Sequence, residues 1–162
     1  MPVTSRFCGL PSGLLWLLGF TVFGCGSKGA VSLSARVENA TLSVQPLALG
    51  TQLGGEFDLV LELGGAAPEA TTVTLGGFSL KSEQSTLVEA LSASSSQAFP
   101  LEIGVGSSKT VHFVLDEGTL AEGEVGAALC SGDVWYAGTV TDTLSDGKPT
   151  VASSGKLTPT CE

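Results

Sequence analysis

From Val31 to Ser153 apolar side chains recur at every second position, and Gly, Ser, Asn and Asp break the rhythm every ten residues or so. This constrains the chain more than any other feature. A period of two belongs to strands with one buried and one wet face, and no sustained helical period competes with it. Val31, Leu33, Ala35 and Val37 alternate with Ser32, Ser34 and Arg36, and Leu42 and Val44 continue on a short run ending near Pro46. From Glu56 to Leu63 the pattern is clearest, with Phe57, Leu59, Leu61 and Leu63 on one side and Glu56, Asp58 and Glu62 on the other. Val60 is the one apolar residue on that polar side. A strand with a wet side predicts an antiparallel sheet.

Further on, Thr71 to Leu80 alternates through Val73 and Leu75, is interrupted at Gly76-Gly77, and resumes at Phe78 and Leu80. A glycine pair inside a strand pattern predicts a bulge or sharp bend. Thr86 to Leu91 fits a strand or a helical turn, and Ser92 to Gln97 reads as a polar loop. Phe99, Leu101, Ile103 and Val105, a turn at Gly106–Lys109, then Val111, Phe113 and Leu115 predict a β-hairpin. Val125, Ala127 and Leu129 predict another strand, and Ser131-Gly132-Asp133 a turn. Val134 to Leu144 reads as a long strand, followed by a turn at Ser145-Asp146-Gly147 and a weaker strand at Thr150–Ser153. About eight strands at this spacing predict an all-β antiparallel sandwich, with a jelly roll or small β-barrel as the alternative. Composition agrees: charged residues make up only 14% of the chain and 22 of its 162 residues are glycine, which suits many strands joined by tight turns.

The order of these pieces resembles an immunoglobulin-like β-sandwich, and Phe99 to Leu115 resembles the strand-turn-strand that precedes the last two strands of bacterial surface domains of that type. The likeness is to architecture alone. Cys130, Trp135 and Cys161 stand in the antibody-like order, but Cys130 lies five residues before the tryptophan, too close for the two cysteines to sit on the usual facing strands.

Ahead of the strands, Leu10 to Phe23 is apolar except for Pro11, Ser12, Gly13, Gly19 and Thr21, with Arg6 before it and Gly24-Cys25 after it. The run is shorter than the ~20 residues that span a bilayer comfortably and has the proportions of a secretory signal. Val22-Phe23-Gly24-Cys25 resembles a bacterial lipobox. That resemblance implies cleavage before Cys25, a diacylglyceryl group on its thiol and acylation, palmitate included, of its new amino group. Gly26 is not the aspartate that retains such lipoproteins at the inner membrane, so an outer-membrane location is implied. Residues 1–24 are then a removed signal peptide, 25–30 a lipid-anchored tether and 31–162 the folded domain. Two or more acyl chains, at ~0.8 kcal/mol per buried methylene, hold a protein on a membrane. Gly26 to Ala30 reaches at most ~18 Å, so the domain is expected close to the bilayer.

Cys130 and Cys161 are the two cysteines of the domain. A single pair in an exported domain predicts a disulfide rather than a metal site, which wants about four ligands. Alternation puts Cys130 on the face away from the core, so the bond is expected to pin the C-terminal tail outside a sheet. With that pair made, Cys25 is the unpaired thiol of the processed chain.

Little in the chain predicts chemistry. Its one histidine, His112, is expected to face solvent, with Asp116 four residues on, and there is no G-x-S-x-G elbow. Gly104 to Thr110 resembles a phosphate-binding loop, but Ser108 stands where glycine is needed and a strand pattern follows where a helix should begin. Asp116 and Glu117, Glu122 and Glu124, and Asp133, Asp142 and Asp146 could offer oxygen ligands, but none has the spacing of a calcium loop. Trp135 and Tyr136 are adjacent and so face opposite sides of their strand, one into the core and the other toward a possible sugar or protein ligand.

The net charge is −9, and without residues 1–24 six basic residues face sixteen acidic ones. Such a surface repels nucleic acid and anionic head groups. The expectation is therefore an envelope module without cofactor, metal or catalytic activity, whose partners are a membrane through its lipid, an envelope protein or a glycan. A carbohydrate-binding or adhesion module using Trp135 or Tyr136 is the alternative.

Overall fold

The structure, a computed structural model, describes residues 32–47, 50–116, 120–121 and 123–162; Cys25 and the expected signal peptide and tether lie outside them. It is an all-β antiparallel sandwich. The first sheet contains β1 (Leu33–Glu38), β4 (Glu56–Leu63), β9 (Ser108–Leu115) and β7 (Ala93–Ser95), in the order β1-β4-β9-β7. The second contains β12 (Thr150–Ser153), β11 (Val134–Asp142), β5 (Thr71–Ser82) and β6 (Thr86–Val88) in that order, with β8 (Leu101–Ile103) pairing the early part of β5. Taken as strands A, B, E and D, the first sheet has the immunoglobulin order, and β12, β11 and β5 have the order G, F and C.

A third, smaller sheet lies at one end. It is built from two insertions into that plan and the C-terminal tail, in the order β10 (Leu120–Ala121), β3 (Gly50–Gly54), β2 (Ser43–Leu47) and β13 (Thr160–Cys161), and a helix, α1 (Gly123–Cys130), packs beside it. β13 runs parallel to β2. This cap lies at the end where β4 begins. The other end carries Ser32, whose carbonyl accepts the Gly64 N–H, and Leu144, which lines a shallow hollow together with Ser32.

The alternation read from the sequence fills the space between the two main sheets. Phe57, Leu59, Leu61 and Leu63 are all fully buried, as are Val73, Leu80, Val111, Val134, Tyr136 and Val140. Phe57 is the hub, stacked on Phe113 at 5.1 Å, edge-on to Phe78 at 4.7 Å and tilted against Tyr136 at 4.7 Å. Antibody domains join strands B and F with a disulfide; here Phe57 of β4 and Tyr136 of β11 meet as rings. Aromatic pairs of this kind contribute ~0.5–1.5 kcal/mol each beyond burial. On the outer side of β4, Val60 is 6% exposed, flanked in register by Arg36 and Thr110.

Some sequence expectations are corrected. Leu101–Ile103 and Ser108–Leu115 do not form a hairpin. β8 pairs with β5 and β9 with β4 and β7, so the turn at Gly104–Ser107 carries the chain from one sheet to the other. Ser107 donates its N–H to the Gly104 carbonyl and accepts from the Leu63 N–H. Alternation shows which side of a strand is buried but not which sheet it joins, and a crossover lets Ile103 and Val111 bury on facing sheets. Val125, Ala127 and Leu129 are helical. Spacing of i and i+4 makes Val125 and Leu129 neighbours on a helix just as i and i+2 would on a strand. Ser92–Gln97 is partly strand, since β7 adds to β9 there, and Thr86–Val88 is strand rather than helical turn. With these short pieces the described residues hold thirteen strands rather than about eight.

Candidate functional site

The glycine interruption in β5 shapes the most distinctive surface. Thr139 pairs with Gly77 and Val140 with Leu75, so Gly76 is the extra residue of a bulge. A Cβ on Gly76 would sit 2.4 Å from Thr139 Oγ1, whereas one on Gly77 would meet nothing within 4 Å. Gly77 has φ +112°, a conformation open mainly to glycine. Two residues without side chains, next to the small pair Ser79 and Ala137, leave a trough of about 290 Å³ on the outer face of the second sheet. Ser79 Oγ donates to the Ala137 carbonyl at 3.0 Å, which keeps its hydroxyl low on the floor. Lys81 and Glu89 stand at the rim, and Leu91 and Val151 form apolar walls. Val151 is 66% exposed, the most exposed large apolar residue described.

Trp135 and Tyr136 separate as their adjacency requires. Tyr136 is fully buried and its hydroxyl donates to the Thr41 carbonyl at 2.8 Å; burial pushes its phenol pKa upward. It is a core residue and cannot reach a surface ligand. Trp135 is half-buried. It shares the outer face with Ala137, two residues along, and stands across from Lys81.

His112 lies on the outer face of the first sheet, 46% exposed in its side chain, with Nδ1 2.8 Å from Asp58 Oδ1 and Nε2 3.6 Å from Glu56 Oε2. Its carboxylate partner is thus Asp58, not Asp116. Asn39 Nδ2 donates to the other Asp58 oxygen at 2.8 Å. The Asn39 bond first, and the His112 bond second, hold the Asp58 carboxyl below its ordinary range. Ser96 Oγ accepts from the His112 main-chain N–H, not from its ring. Asp116 takes hydrogen bonds from Ser94 Oγ at 2.5 Å and Ser92 Oγ at 2.7 Å, which lower its pKa, Ser94 more than Ser92.

The acidic groups singled out as oxygen ligands do not converge. Asp133 and Asp142 flank β11 at its two ends, roughly 30 Å apart at strand rise. Asp142 is buried and accepts from Thr71 Oγ1 at 3.2 Å and the Leu144 N–H at 2.9 Å. Among the described residues no group of three or more His, Cys, Asp or Glu is placed to hold a metal ion. Glu117 and Glu122 lie outside them. Gly104 to Thr110 leads into β9, not into a helix.

Cys130 and Cys161 form a disulfide, with Cα atoms 6.1 Å apart. It ties the last residue of α1 to β13, so it clasps the cap rather than crossing the outside of a main sheet. No described helix is long and apolar enough to cross a membrane. The chain matches no family model, no curated protein and no solved structure.

Proposed function

We propose that the chain is a lipid-anchored, non-catalytic interaction module of the cell envelope, held at an outer membrane through Cys25. The observation that carries this reading is the bond between Cys130 and Cys161. It occupies both cysteines of the domain, suits an oxidising compartment, and leaves Cys25, behind its apolar run and Val22-Phe23-Gly24, to take the lipid. The described fold begins at Ser32, seven residues after Cys25, a reach of at most ~25 Å. Ser32 lies at the end of the sandwich away from the cap, so in this reading the cap points away from the membrane and the two sheet faces stand beside it. The sheet faces offer a binding surface, and the exposed polar cluster around His112 is built of mutually satisfied groups.

Metabolic labelling with palmitate and fractionation of cells expressing the chain or its Cys25→Ala variant test the anchor. Label and membrane association are expected in the first and neither in the second. A Cys25→Ala chain that stays with the membranes through a carbonate wash ends the proposal.

A further inference from the structure

We propose that the trough on the outer face of the β5–β11–β12 sheet binds a neutral saccharide, with Trp135 as the surface against which a sugar ring stacks. Its shape comes from the bulge, since Gly76 and Gly77 contribute no side chains and Ser79 and Ala137 only small ones. A pyranose has an apolar C–H face and a rim of hydroxyls, and the trough presents both complements. Val151 and Leu91 of its lining meet the apolar face. A ring that extends past the trough reaches the half-buried indole of Trp135, which stands just outside the lining, across from Lys81 and two residues from Ala137. Lys81 offers a donor and Glu89 an acceptor, and neither enters an ion pair among the described residues. A volume of 290 Å³ is at the small end for ligand sites and accommodates about one or two rings.

Charge and topology select among ligands. A net charge of −9 disfavours anionic polymers, which leaves neutral glycans. An extended peptide gains its affinity by adding a strand to an open sheet edge. The trough lies on the face of the sheet, over the paired strands β5 and β11. On the other edge of β5, between its pairings with β8 and β6, the Leu91 N–H already bonds the Phe78 carbonyl, which shortens the edge open to that mode. The proposal rests on the reading of the domain as a binding module but not on its anchorage.

Proton–nitrogen correlation NMR of the full chain in mild detergent, titrated with chitotetraose, cellotetraose and laminaritetraose, tests it. At least one probe is expected to bind with a Kd of about 0.1–1 mM and to shift Gly77, Ser79, Trp135 and Ala137. Trp135→Ala and Ala137→Leu, the second filling the floor, are each expected to weaken binding at least ~10-fold, and Trp135→Phe to retain most of it. Lys81→Met, on the rim, keeps the test available should a floor variant not fold. Absence of shifts with all three probes at about 10 mM, shifts that map elsewhere, or affinity indifferent to both Trp135→Ala and Lys81→Met would overturn the proposal, as would a partner protein that occupies the trough instead. Cys25→Ala is expected to leave saccharide affinity unchanged, so failure of the anchor and failure of this site give different results.

Discussion

The hydroxyl of Tyr136, in the middle of the sandwich core, donates 2.8 Å to the main-chain carbonyl of Thr41. Thr41 lies in the connection between β1 and β2, so one side chain belongs to the aromatic core and also holds the segment leading into the cap. The bond satisfies a hydroxyl that would otherwise be stranded among Phe57 and its neighbours.

Removing that hydroxyl while keeping the ring isolates the bond. Tyr136→Phe is expected to lower stability by ~0.5–1.5 kcal/mol, measured by urea denaturation. Tyr136→Ala adds a large cavity and should cost ~3–5 kcal/mol. Equal effects of the two variants would show that the ring contributes nothing.

Tyr136 is the one tyrosine of the chain, so its ionisation can be followed directly by ultraviolet absorbance. Burial raises the folded-state pKa above the ordinary value of 10.0. A raised pKa means the stabilising contribution is complete below the unfolded-state pKa and is lost as pH rises above it. Phenolate absorbance is therefore expected only together with alkaline unfolding, and a normal titration of the native chain would contradict the buried placement.

The disulfide closes a loop with a sequence separation of 31 residues. Constraint of the unfolded chain by a loop of this size stabilises by ~3–4 kcal/mol, so Cys130→Ser or reduction should lower the denaturation midpoint accordingly. Because the bond clasps α1 to β13, hydrogen exchange should rise first in the cap and leave β4 and β11 protected.

Gly126 sits where a Cβ would approach Thr51 Oγ1 to 2.2 Å. Alanine is worth ~1 kcal/mol over glycine in a helix interior, yet overpacking costs ~1–3 kcal/mol. Gly126→Ala is therefore expected to destabilise on balance. Gly132→Ala, where a Cβ meets nothing within 4 Å, should change stability by less than ~0.5 kcal/mol. Thermal melts of the two variants decide it.

Asp58 gives an acid-side prediction. Its depressed pKa means the contribution is present above the ordinary carboxylate range and fades as pH falls through the folded-state value. Asn39 has φ 51°, so Asn39→Gly removes the hydrogen bond without straining the backbone. Carbon NMR of the Asp58 carboxyl should show its pKa rising toward the ordinary value. The accompanying stability loss should stay below ~1 kcal/mol at this partly exposed site, where solvent screens the carboxylate.

The fold was legible to the extent that it depends on which side of a strand is wet. Phe57 to Leu63 announced its buried face, Gly76-Gly77 its bulge, and Cys130 and Cys161 their pairing, because each follows from local stereochemistry or from the chemistry of a lone thiol pair. Partners were not legible. Leu101–Ile103 and Val111–Leu115 look like the arms of a hairpin whether they pair with each other or with β5 and β4. The trough was hidden for the same reason: the bulge can be read from the glycines, but the small floor exists only once Ser79 faces Ala137.

The sequence by itself thus determined an all-β chain with one-sided strands, a glycine bulge and a single cysteine pair in its domain. Tertiary structure decided the rest. It assigned strands to sheets, since only long-range packing makes Phe57, Phe78, Phe113 and Tyr136 one cluster. It also turned Gly123–Cys130 into a helix, because Leu129 can then reach the core while Gly126 lies against Thr51. Periodicity records how much of each residue is buried, but the identity of what buries it belongs to the whole fold.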